Sequence, residues 1–402
     1  MVAALAAFMA LPAVAGAATY SLKWARSVSL LNANDGGGFD SVACAPAVAA
    51  NTSLFCIAGD VRGDIFATAH PAQGASKWLR RYIDPKTAIT GISCPSATLC
   101  VAVDAAGRVL HSSNPLGPVG GWSKPLSVDS ATLTGGGAAG FSSIDCPTTT
   151  FCIAVDNAAN GQIAYTTNPT GPASAWTLTT VGSGVLLDSV SCATPTMCVI
   201  AGTNAYYSAD PTGGATAWKA TAALSPSSSV ISSLACNTVK LCVGVGYGNA
   251  GVGLSVGSSA PTTTTWSQGL IGSDPPAQNA QVVDSVACPE RNFCVAVDGG
   301  SNAYTSATPV RGAWSLAKPL KKDSQSTVSQ VACNSTICVE VDNRGTVTYG
   351  AIHAATATTK TTTTPTKTTT TPTTTTPTKT TTTTKTTTSP SKTTTTSTTS
   401  AT

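Results

Sequence analysis

The sequence has few charged residues, and glutamate is nearly missing from it. Charged residues make up 10% of the 402 residues, and the only glutamates are Glu290 and Glu340. Surface helices use Glu and Lys heavily, so this scarcity argues against a helical protein. The chain has three histidines and no CxxC pair, which makes a zinc site a poor interpretation. We therefore predict no metal and no cofactor.

A basic excess is missing from the part of the chain that could fold. The formal net charge is +4, from 22 basic and 18 acidic residues. Five of the lysines follow His353 and every acidic residue precedes it, so the rest of the chain carries 17 − 18 = −1. A nucleic-acid partner needs a basic face. We predict no nucleic-acid binding.

Long apolar runs are missing except at the N-terminus. Val2 to Ala15 is apolar but short for a membrane span. It precedes Ala15-Gly16-Ala17, which matches an A-x-A cleavage pattern. We predict a signal peptide at 1–17 and no stable membrane span after cleavage. An uncleaved anchor is the alternative.

What the chain does contain is cysteine, in ordered pairs. The fourteen cysteines fall into seven pairs, five of them with a C-x5-C spacing. The pairs are Cys44 with Cys56, Cys94 with Cys100, Cys146 with Cys152, Cys192 with Cys198, Cys236 with Cys242, Cys288 with Cys294, and Cys333 with Cys338. Cysteines on adjacent strands beside a short hairpin come close enough for a disulfide. The sequence therefore predicts seven disulfides and a location outside the reducing cytosol, extracellular or at the cell surface.

Each cysteine pair belongs to a repeated unit, best seen in residues 92–122. Three short apolar runs and a Trp-marked segment predict a four-stranded antiparallel sheet. The first cysteines of successive units lie 50, 52, 46, 44, 52 and 45 residues apart, as in propeller blades. We expect the first strand of each unit to line a central channel and the second to be buried between blades. Each disulfide would lock the inner hairpin.

Tryptophan indicates how the ring closes. Six units carry one Trp each, the seventh unit stops after Tyr349 without one, and Trp24 stands alone before the first unit. A strand around Trp24 would complete the last unit and shield the edges that an open row of sheets exposes. We predict an all-β, seven-bladed β-propeller over 18–352, with each Trp packed against the adjoining blade. An open β-solenoid is the alternative.

From His353 the chain becomes rich in Thr, Pro and Lys. Such a composition has too little apolar surface to build a core. We predict a disordered tail at 353–402, which resembles the Thr-rich stalks of cell-surface proteins.

The loops before the tryptophans share a pattern that resembles a known turn. They read Ser112-Ser-Asn114-Pro-Leu-Gly117 before Trp122, Thr166-Thr-Asn168-Pro-Thr-Gly171 before Trp176 and Ser208-Ala-Asp210-Pro-Thr-Gly213 before Trp218. This pattern is similar to a degenerate Asp-box, the S-x-D-x-G-x-x-W turn of sialidase-like secreted propellers. Asn often replaces Asp, and the distance from Gly to Trp is longer. In that family the box is a structural turn, and the arginine and Tyr–Glu features of sialidase catalysis have no counterpart here.

A set of polar residues would lie where second strands turn into third strands. This end of a propeller is the usual ligand surface. The predicted ligand-binding residues are Asp60, Asp104, Arg108, Asp156, Asp298, Asp342 and Arg344. Asp40, Asp188 and Asp284 begin inner strands near the same channel mouth. In the alternative interpretation, an Asp before Gly or Asn only caps its own turn.

These observations leave three hypotheses for function. The first is a monomeric, non-catalytic module that binds a glycan or a surface protein. The second is a secreted glycoside hydrolase or lyase with its site at the channel mouth. The third is a structural or adhesive surface module. No catalytic residue stands out in the sequence.

Overall fold

The structure is a computed structural model. It describes residues 18–32, 35–46, 54–118, 121–129, 140–158, 160–221, 229–248, 253–263, 266–271, 282–320 and 326–355. These residues fall in one compact unit that ends at Ala357. The signal peptide predicted at 1–17 and residues 356–402 of the predicted tail lie outside the described residues.

Short β-strands account for nearly all regular structure in the described residues. The strands are β1 (Thr19–Trp24), β2 (Val28–Ser29), β3 (Phe39–Cys44), β4 (Cys56–Asp60), β5 (Asp64–Thr68), β6 (Leu79–Tyr82), β7 (Ile89–Ser96), β8 (Leu99–Asp104), β9 (Arg108–Ser112), β10 (Leu126–Ser127), β11 (Phe141–Thr148), β12 (Phe151–Asp156), β13 (Gln162–Thr166), β14 (Thr177–Thr180), β15 (Leu187–Thr194), β16 (Met197–Gly202), β17 (Ala205–Ser208), β18 (Lys219–Ala220), β19 (Val230–Thr238), β20 (Leu241–Tyr247), β21 (Gly253–Ser258), β22 (Ser267–Leu270), β23 (Val283–Glu290), β24 (Phe293–Asp298), β25 (Asn302–Thr308), β26 (Ala313–Pro319), β27 (Val328–Cys333), β28 (Ile337–Asp342) and β29 (Thr346–Ala355). Single 3-10 turns lie at Pro71–Gln73, Ala75–Lys77, Ala173–Ala175, Ala215–Ala217 and Pro309–Arg311. No helix of the described residues has the length and apolar character needed to cross a membrane.

The strands form seven antiparallel sheets, six of them with their strands in sequence order, and the seventh in the order β27, β28, β29 and β1. Blades 1 to 6 are β3–β6, β7–β10, β11–β14, β15–β18, β19–β22 and β23–β26, and blade 7 is β27–β29 with β1 and β2. The first strand of every blade contacts the first strand of the next, and β27 contacts β3. The first strands therefore form a closed ring, which confirms the predicted propeller. The open solenoid is wrong.

The ring closes without a covalent link, as the isolated Trp24 predicted. β1 pairs antiparallel with β29, with Trp24 opposite Gly350 and Thr19 opposite Ala355. β2 pairs with the start of the same strand, with Val28 opposite Val347. Beyond the pairing, the Tyr20 ring stacks on Phe293 of blade 6 with centroids 5.6 Å apart. The N-terminal strand thus joins blade 7 and contacts its neighbour.

The apolar core lies in the junctions between blades. Each junction holds one cluster of buried residues drawn from the two blades that face it. Trp218 of blade 4, for example, packs with Ile153 and Ile163 of blade 3. Trp24 likewise packs in the cluster between blades 6 and 7. The predicted packing of each Trp against the adjoining blade is confirmed.

All seven predicted disulfides are present. Each joins the first and second strands of one blade, with Cα atoms 4.0 to 4.2 Å apart. In blade order, the bonds join Cys44 to Cys56, Cys94 to Cys100, Cys146 to Cys152, Cys192 to Cys198, Cys236 to Cys242, Cys288 to Cys294, and Cys333 to Cys338. All fourteen cysteines are therefore paired within their own blade, as the sequence predicted, and none is free. Seven disulfides in one domain are typical of proteins from an oxidising compartment.

The two ends of the ring differ in what they carry. We call the end with the disulfide-linked hairpins the disulfide face. The opposite end is the turn face, where second strands turn into third strands and blades connect.

One feature of the inner strands was not predicted. In every blade the pairing of the first and second strands slips by one residue near the turn face. The residue left opposite no partner is a β-bulge, which bends the strand and re-aims its side chain. In blades 1, 4 and 6 this residue is Asp40, Asp188 or Asp284. The bulge explains why these side chains depart from the strand's alternation.

Candidate functional site

Five of the predicted ligand-binding residues are aspartates that end second strands at the turn face. They are Asp60, Asp104, Asp156, Asp298 and Asp342, and each is at most 1% exposed. In each, Oδ1 accepts backbone N–H groups of the following turn. Asp104 is typical, with N–H donors from Ala106 at 2.8 Å and Arg108 at 2.9 Å. Asp favours this position because its short side chain reaches the N–H groups of its own turn.

At Asp104, the other carboxylate oxygen takes part in a cluster that reaches the connection from the preceding blade. Arg108 Nε donates to Asp104 Oδ2 at 2.6 Å, and Arg108 Nη2 donates to the two oxygens of Asp84 at 2.8 and 2.7 Å. Asp84 lies in the connection from blade 1 to blade 2 and is 2% exposed. Burial raises the pKa of Asp84 to about 7, and the Asp104 carboxylate adds to this although Arg108 opposes it. The cluster therefore holds a proton at mildly acidic pH.

A second acid pair occupies the next junction without an arginine. Burial raises the pKa of Asp156 to about 7. The hydrogen bond from the Ala158 N–H lowers this pKa, whereas Asp129, in the connection between blades 2 and 3, raises it. Gln162 begins the third strand of blade 3, where Arg108 begins that of blade 2. Two adjacent junctions thus carry carboxyl pairs, and only one of the two includes a cation.

The aspartates of blades 6 and 7 have neutral partners. Asp298 Oδ2 accepts from Asn302 Nδ2 at 2.9 Å and from Tyr304 Oη at 2.8 Å. Burial and this hydrogen bond raise the pKa of the Tyr304 hydroxyl. Asp342 Oδ2 accepts from Ser326 Oγ at 2.6 Å. Both carboxylates are held by donors from within the propeller.

Above the buried carboxylates, the tips of the turns are solvent-exposed. The exposed side chains there include Arg62, Lys86, Asn157, Asn204 and Arg344. The predicted Arg344 is thus on the surface, whereas Arg108 is bound to its two aspartates. A partner that approaches the turn face would meet the tips first.

The bulged aspartates are the second residues of the first strands of blades 1, 4 and 6, at the turn face, and their predicted place at the channel mouth stays a prediction. Burial raises the pKa of Asp40, Asp188 and Asp284, to about 7 for Asp284, where Asp298 adds to the effect. Hydroxyls occupy the same position in blades 2 and 3: Thr90 Oγ1 donates to the Phe141 carbonyl at 2.5 Å and Ser142 Oγ to that of Leu187 at 2.7 Å. Within the described ranges, no group of three or more His, Cys, Asp or Glu side chains could hold a metal ion.

The structure thus brings together Asp84, Asp104 and Arg108, and it places Asp40 within electrostatic range of Asp60 in blade 1 and Asp284 within range of Asp298 in blade 6. The sequence interpretation missed Asp84 and Asp129. Their signal was an Asp two residues after the end of the outer strand of blades 1 and 2. Nothing in that pattern reveals which neighbouring carboxylate the side chain will meet. The ligand-binding role of the predicted residues stays a prediction.

The sheets and their closure define the class of protein, a seven-bladed β-propeller with a disulfide in every blade. No protein-family model matches the chain, and no curated protein sequence does. Among solved structures, YCF48 from Cyanidioschyzon merolae matches with a TM-score of 0.56 and 14% identity, over 82% of this chain and 98% of that chain. A structure of YCF48 bound to D1 peptide matches with a TM-score of 0.55 and 13% identity, over 82% and 96%. The WD40 propeller domain of Doa1 matches with a TM-score of 0.57 and 11% identity, over 83% and 97%. At such identities the likeness concerns the fold alone.

Proposed function

We propose that the protein is an exported, disulfide-linked β-propeller that binds a protein partner through its turn face at the cell surface, without catalysis. The supporting observation is the set of hydrogen bonds that the five buried aspartates accept. Their carboxylates hold backbone N–H groups of the turns, and Asp104 also holds Arg108, which binds Asp84 in the connection from blade 1, so the turns are rigid supports for the exposed tips. Rigid loops on a stable scaffold are a common basis for recognition.

The fold likeness supports a peptide or protein as the partner. A YCF48 structure of the same fold contains a D1 peptide. For this chain we propose the partner class only, a protein segment that contacts exposed residues such as Arg62 and Arg344. A glycan ligand is the alternative, and a monomer remains the expected state.

The proposed location rests on the disulfides and on the N-terminal sequence. Seven disulfides suit an oxidising compartment. We propose cleavage after residue 17 and a stalk or spacer in the region predicted at 353–402. Because residues 353–355 still pair with β1 in β29, the propeller predicted at 18–352 extends to Ala355 and the stalk begins after it. Mass spectrometry of the mature protein from culture medium and cell surface should find an N-terminus at Ala18. An intact Met1 would contradict the signal peptide.

The Asp-box resemblance remains a hypothesis about how the loops originated. Its support is a shared set of contacts: Asn114 N–H donates to Ser112 Oγ at 3.1 Å, and Asn168 N–H donates to Thr166 Oγ1 at 3.0 Å. Gly117 N–H also closes on the Asn114 carbonyl at 2.8 Å. These contacts belong to a structural turn and lie near the disulfide face. They imply no sialidase chemistry.

Binding variants on opposite faces test the proposal. The mature chain is immobilised and exposed to surface proteins of the producing cell and to a glycan array. We expect a surface protein to bind the wild type. This binding should be lost in the Arg62→Glu/Arg344→Glu variant and kept in the Arg291→Glu variant. Arg291 is an exposed residue of a hairpin on the disulfide face and is the matched control.

Other outcomes would contradict the proposal. Equal binding by both variants would exclude the turn face. Binding to glycans alone would favour the alternative ligand. Release of reducing sugar, lost on replacing Asp104 or Asp298, would favour the hydrolase hypothesis. No binding of any kind would leave the structural or adhesive module as the better hypothesis.

A further inference from the structure

Two consecutive junctions at the turn face are built on the same plan, around a pair of carboxyl groups. At the junction of blades 1 and 2, Asp84 comes two residues after β6 and Asp104 ends β8. At the junction of blades 2 and 3, Asp129 comes two residues after β10 and Asp156 ends β12. These four residues are between 0% and 4% exposed. The two pairs are therefore equivalent parts of the repeat, and both are buried.

In the first junction an arginine supplies the positive charge between the two carboxyl groups. Arg108 bonds both Asp84 and Asp104, with distances between nitrogen and oxygen of 2.6 to 2.8 Å. Buried carboxylates are costly unless a positive partner and hydrogen bonds compensate for their lost hydration. The junction of blades 1 and 2 thus contains its own cation.

In the second junction a neutral residue takes the position of that arginine. β12 and β13 pair in the same register as β8 and β9, so Gln162 lies across from Asp156 as Arg108 lies across from Asp104. Side chains of opposite residues lie on the same face of a sheet, with Cβ atoms about 4.5–5.5 Å apart. The Gln162 side chain is therefore close to the Asp156 carboxyl group and brings no charge to it.

The sequence around this second junction has no other cationic side chain. Between residues 125 and 218 there is no Lys, Arg or His. Blade 3 and the connections on both sides of it lie within this stretch. In blade 1, by contrast, the charge of Arg80 acts on the buried Asp60. The acids of the cation-free stretch are Asp129, Asp145, Asp156, Asp188 and Asp210.

Two buried polar atoms at this junction have no hydrogen-bond partner among the described residues. They are Asp156 Oδ2 and Gln162 Nε2. Asp156 Oδ1 accepts the Ala158 N–H at 2.6 Å, and the Gly140 N–H also acts on this carboxyl group. The Asp129 carboxyl group lies within hydrogen-bond range of Asp156. Because Asp156 is fully buried, bulk water cannot serve as the partner of its Oδ2.

We propose that Asp129, Asp156 and the Gln162 amide bind a metal cation through their oxygen atoms, in the place that the Arg108 guanidinium takes one blade earlier. Hard cations prefer carboxylate and amide oxygens as ligands. Rotation of the Gln162 amide by half a turn presents its Oε1 in place of Nε2, so the side chain can act as a ligand. The prediction of no metal came from the scarcity of zinc ligands, and this set of ligands includes neither His nor Cys.

Calcium is the cation that the proposed location favours. Ca²⁺ accepts about 6–8 oxygen ligands in a flexible geometry, whereas Mg²⁺ requires near-octahedral geometry and keeps several of its waters. Calcium sites of extracellular modules have dissociation constants of about 10⁻⁴–10⁻³ M. The choice of calcium rests on the export proposed above. The cation site itself does not, and it is independent of the protein-binding role of the turn face.

The test replaces the cation with the side chain that the neighbouring blade uses. The full mature chain is freed of metals with a chelator, and CaCl₂, MgCl₂ and NaCl are each titrated into it, with choline chloride keeping the ionic strength constant. Calcium should give saturable heat and raise the melting temperature, because a ligand that binds only the folded state stabilises it. Gln162→Arg should lose this response, and without calcium it should melt above the wild type.

Two further variants keep the test independent of damage to the fold. Gln162→Glu adds a charged oxygen ligand and should tighten calcium binding by about tenfold, since the number of charged ligands sets the affinity of such sites. Asp210→Asn is the matched control, because it removes an exposed acid of the same cation-free stretch near the disulfide face. Its calcium affinity should equal that of the wild type.

A crystal structure locates the ion. A crystal grown with calcium, or with terbium in its place, should show the ion in contact with Asp156 Oδ2. A response to sodium alone would keep the site and assign it to a monovalent cation. No saturable response to any of the three cations, an unchanged calcium response in Gln162→Arg, or an ion located elsewhere would overturn the proposal. The two carboxyl groups would then share a proton instead.

Discussion

Two junctions, between blades 4 and 5 and between blades 7 and 1, contain equivalent hydrogen bonds that are made by different side chains. Between blades 4 and 5, Ser189 Oγ accepts the Leu234 N–H at 2.9 Å from a residue 45 positions away. Between blades 7 and 1, the residue at the equivalent position is Gln330, which accepts from Val42 across 288 positions. Asn334 Nδ2 adds a bond to the Ala45 carbonyl at 3.1 Å. Longer amide side chains therefore bridge the junction where the two ends of the repeat array meet.

The difference teaches how a ring of repeats is closed. Inside the array, a short hydroxyl such as that of Ser189 is enough at this position of the first strand, although Asn237 also reaches the Cys288 carbonyl between blades 5 and 6. The closing junctions join distant segments and must offset a larger loss of chain entropy. There the protein uses longer side chains and an N-terminal strand that pairs only with β29.

The largest expected effect is loss of the fold on deletion of residues 18–24. The deletion removes the β1 ladder, Trp24 and the Tyr20–Phe293 contact. These contacts together are comparable to the whole stability of a domain, about 5–15 kcal/mol. We expect no cooperative thermal transition by circular dichroism. A chain that stops after residue 357 is the control and should melt like the wild type; similar melting of both truncations would show that β1 does not close the ring.

The next effect compares two tryptophans at equivalent positions. Trp218 is 6% exposed in an internal junction, whereas Trp24 is only partly buried in the outer strand of blade 7. Removal of a buried Trp costs about 3–5 kcal/mol. We expect Trp218→Ala near the upper end of that range and Trp24→Ala near the lower end, measured by urea unfolding. The reverse order would mean that the closing strand is the better packed.

A smaller loss of stability is expected when a side chain that caps a backbone N–H between blades is removed, and it should differ between the amide of Gln330 and the hydroxyl of Ser189. Gln330→Ala leaves the Val42 N–H without an acceptor, and Ser189→Ala does the same to Leu234. An unsatisfied buried donor costs about 1–3 kcal/mol. We expect the loss of stability to be larger for Gln330→Ala, because Gln330 joins segments that lie 288 positions apart in the chain. Equal losses in urea unfolding would indicate that the closing junction needs no special cap.

The smallest effect is a dependence of stability on pH. It arises at the junction of blades 1 and 2 and not at the junction between blades 7 and 1. The folded pKa of Asp84, about 7, lies above its ordinary 3.8, so folding favours the protonated form. This stability is fully present below about pH 4 and is lost as the pH rises through about 7. Asp84→Asn should flatten that part of the curve of melting temperature against pH. At neutral pH it should add about 1 kcal/mol to the free energy of unfolding.

A control separates this group from other acids. Asp35→Asn, at a partly exposed residue outside the cluster of Asp84, Asp104 and Arg108, should not flatten the curve as Asp84→Asn does. A profile of Asp84→Asn that matches the wild type would assign the pH dependence to Asp156 or Asp284 instead.

The architecture was predictable because its signals are periodic and one-dimensional. Cysteine spacing and one Trp per unit indicated seven blades, and the stray Trp24 indicated which segment completes the last one. The contacts between blades were not predictable in this way. Ser189 is one of several serines in the first strands, and only the ring shows that its hydroxyl lies beside the Leu234 N–H of the next blade.

The candidate site shows the same limit. The sequence located the aspartates at the turns and offered turn-capping as an alternative to ligand binding. It could not show that Asp84 would meet Asp104, because the two residues belong to different blades. Nor could it show the bulge that re-aims Asp40, since a one-residue slip depends on the partner strand.

The pairing of β1 with β29 also orders events during synthesis. The first strand to leave the ribosome has its partner among the last described residues of the chain, ending at Ala355. Blades 1 to 6 can each assemble and form their own disulfide while the early segment is still unpaired. The ring is therefore sealed only after residues up to Ala355 have been synthesised, long after the segment that pairs with them.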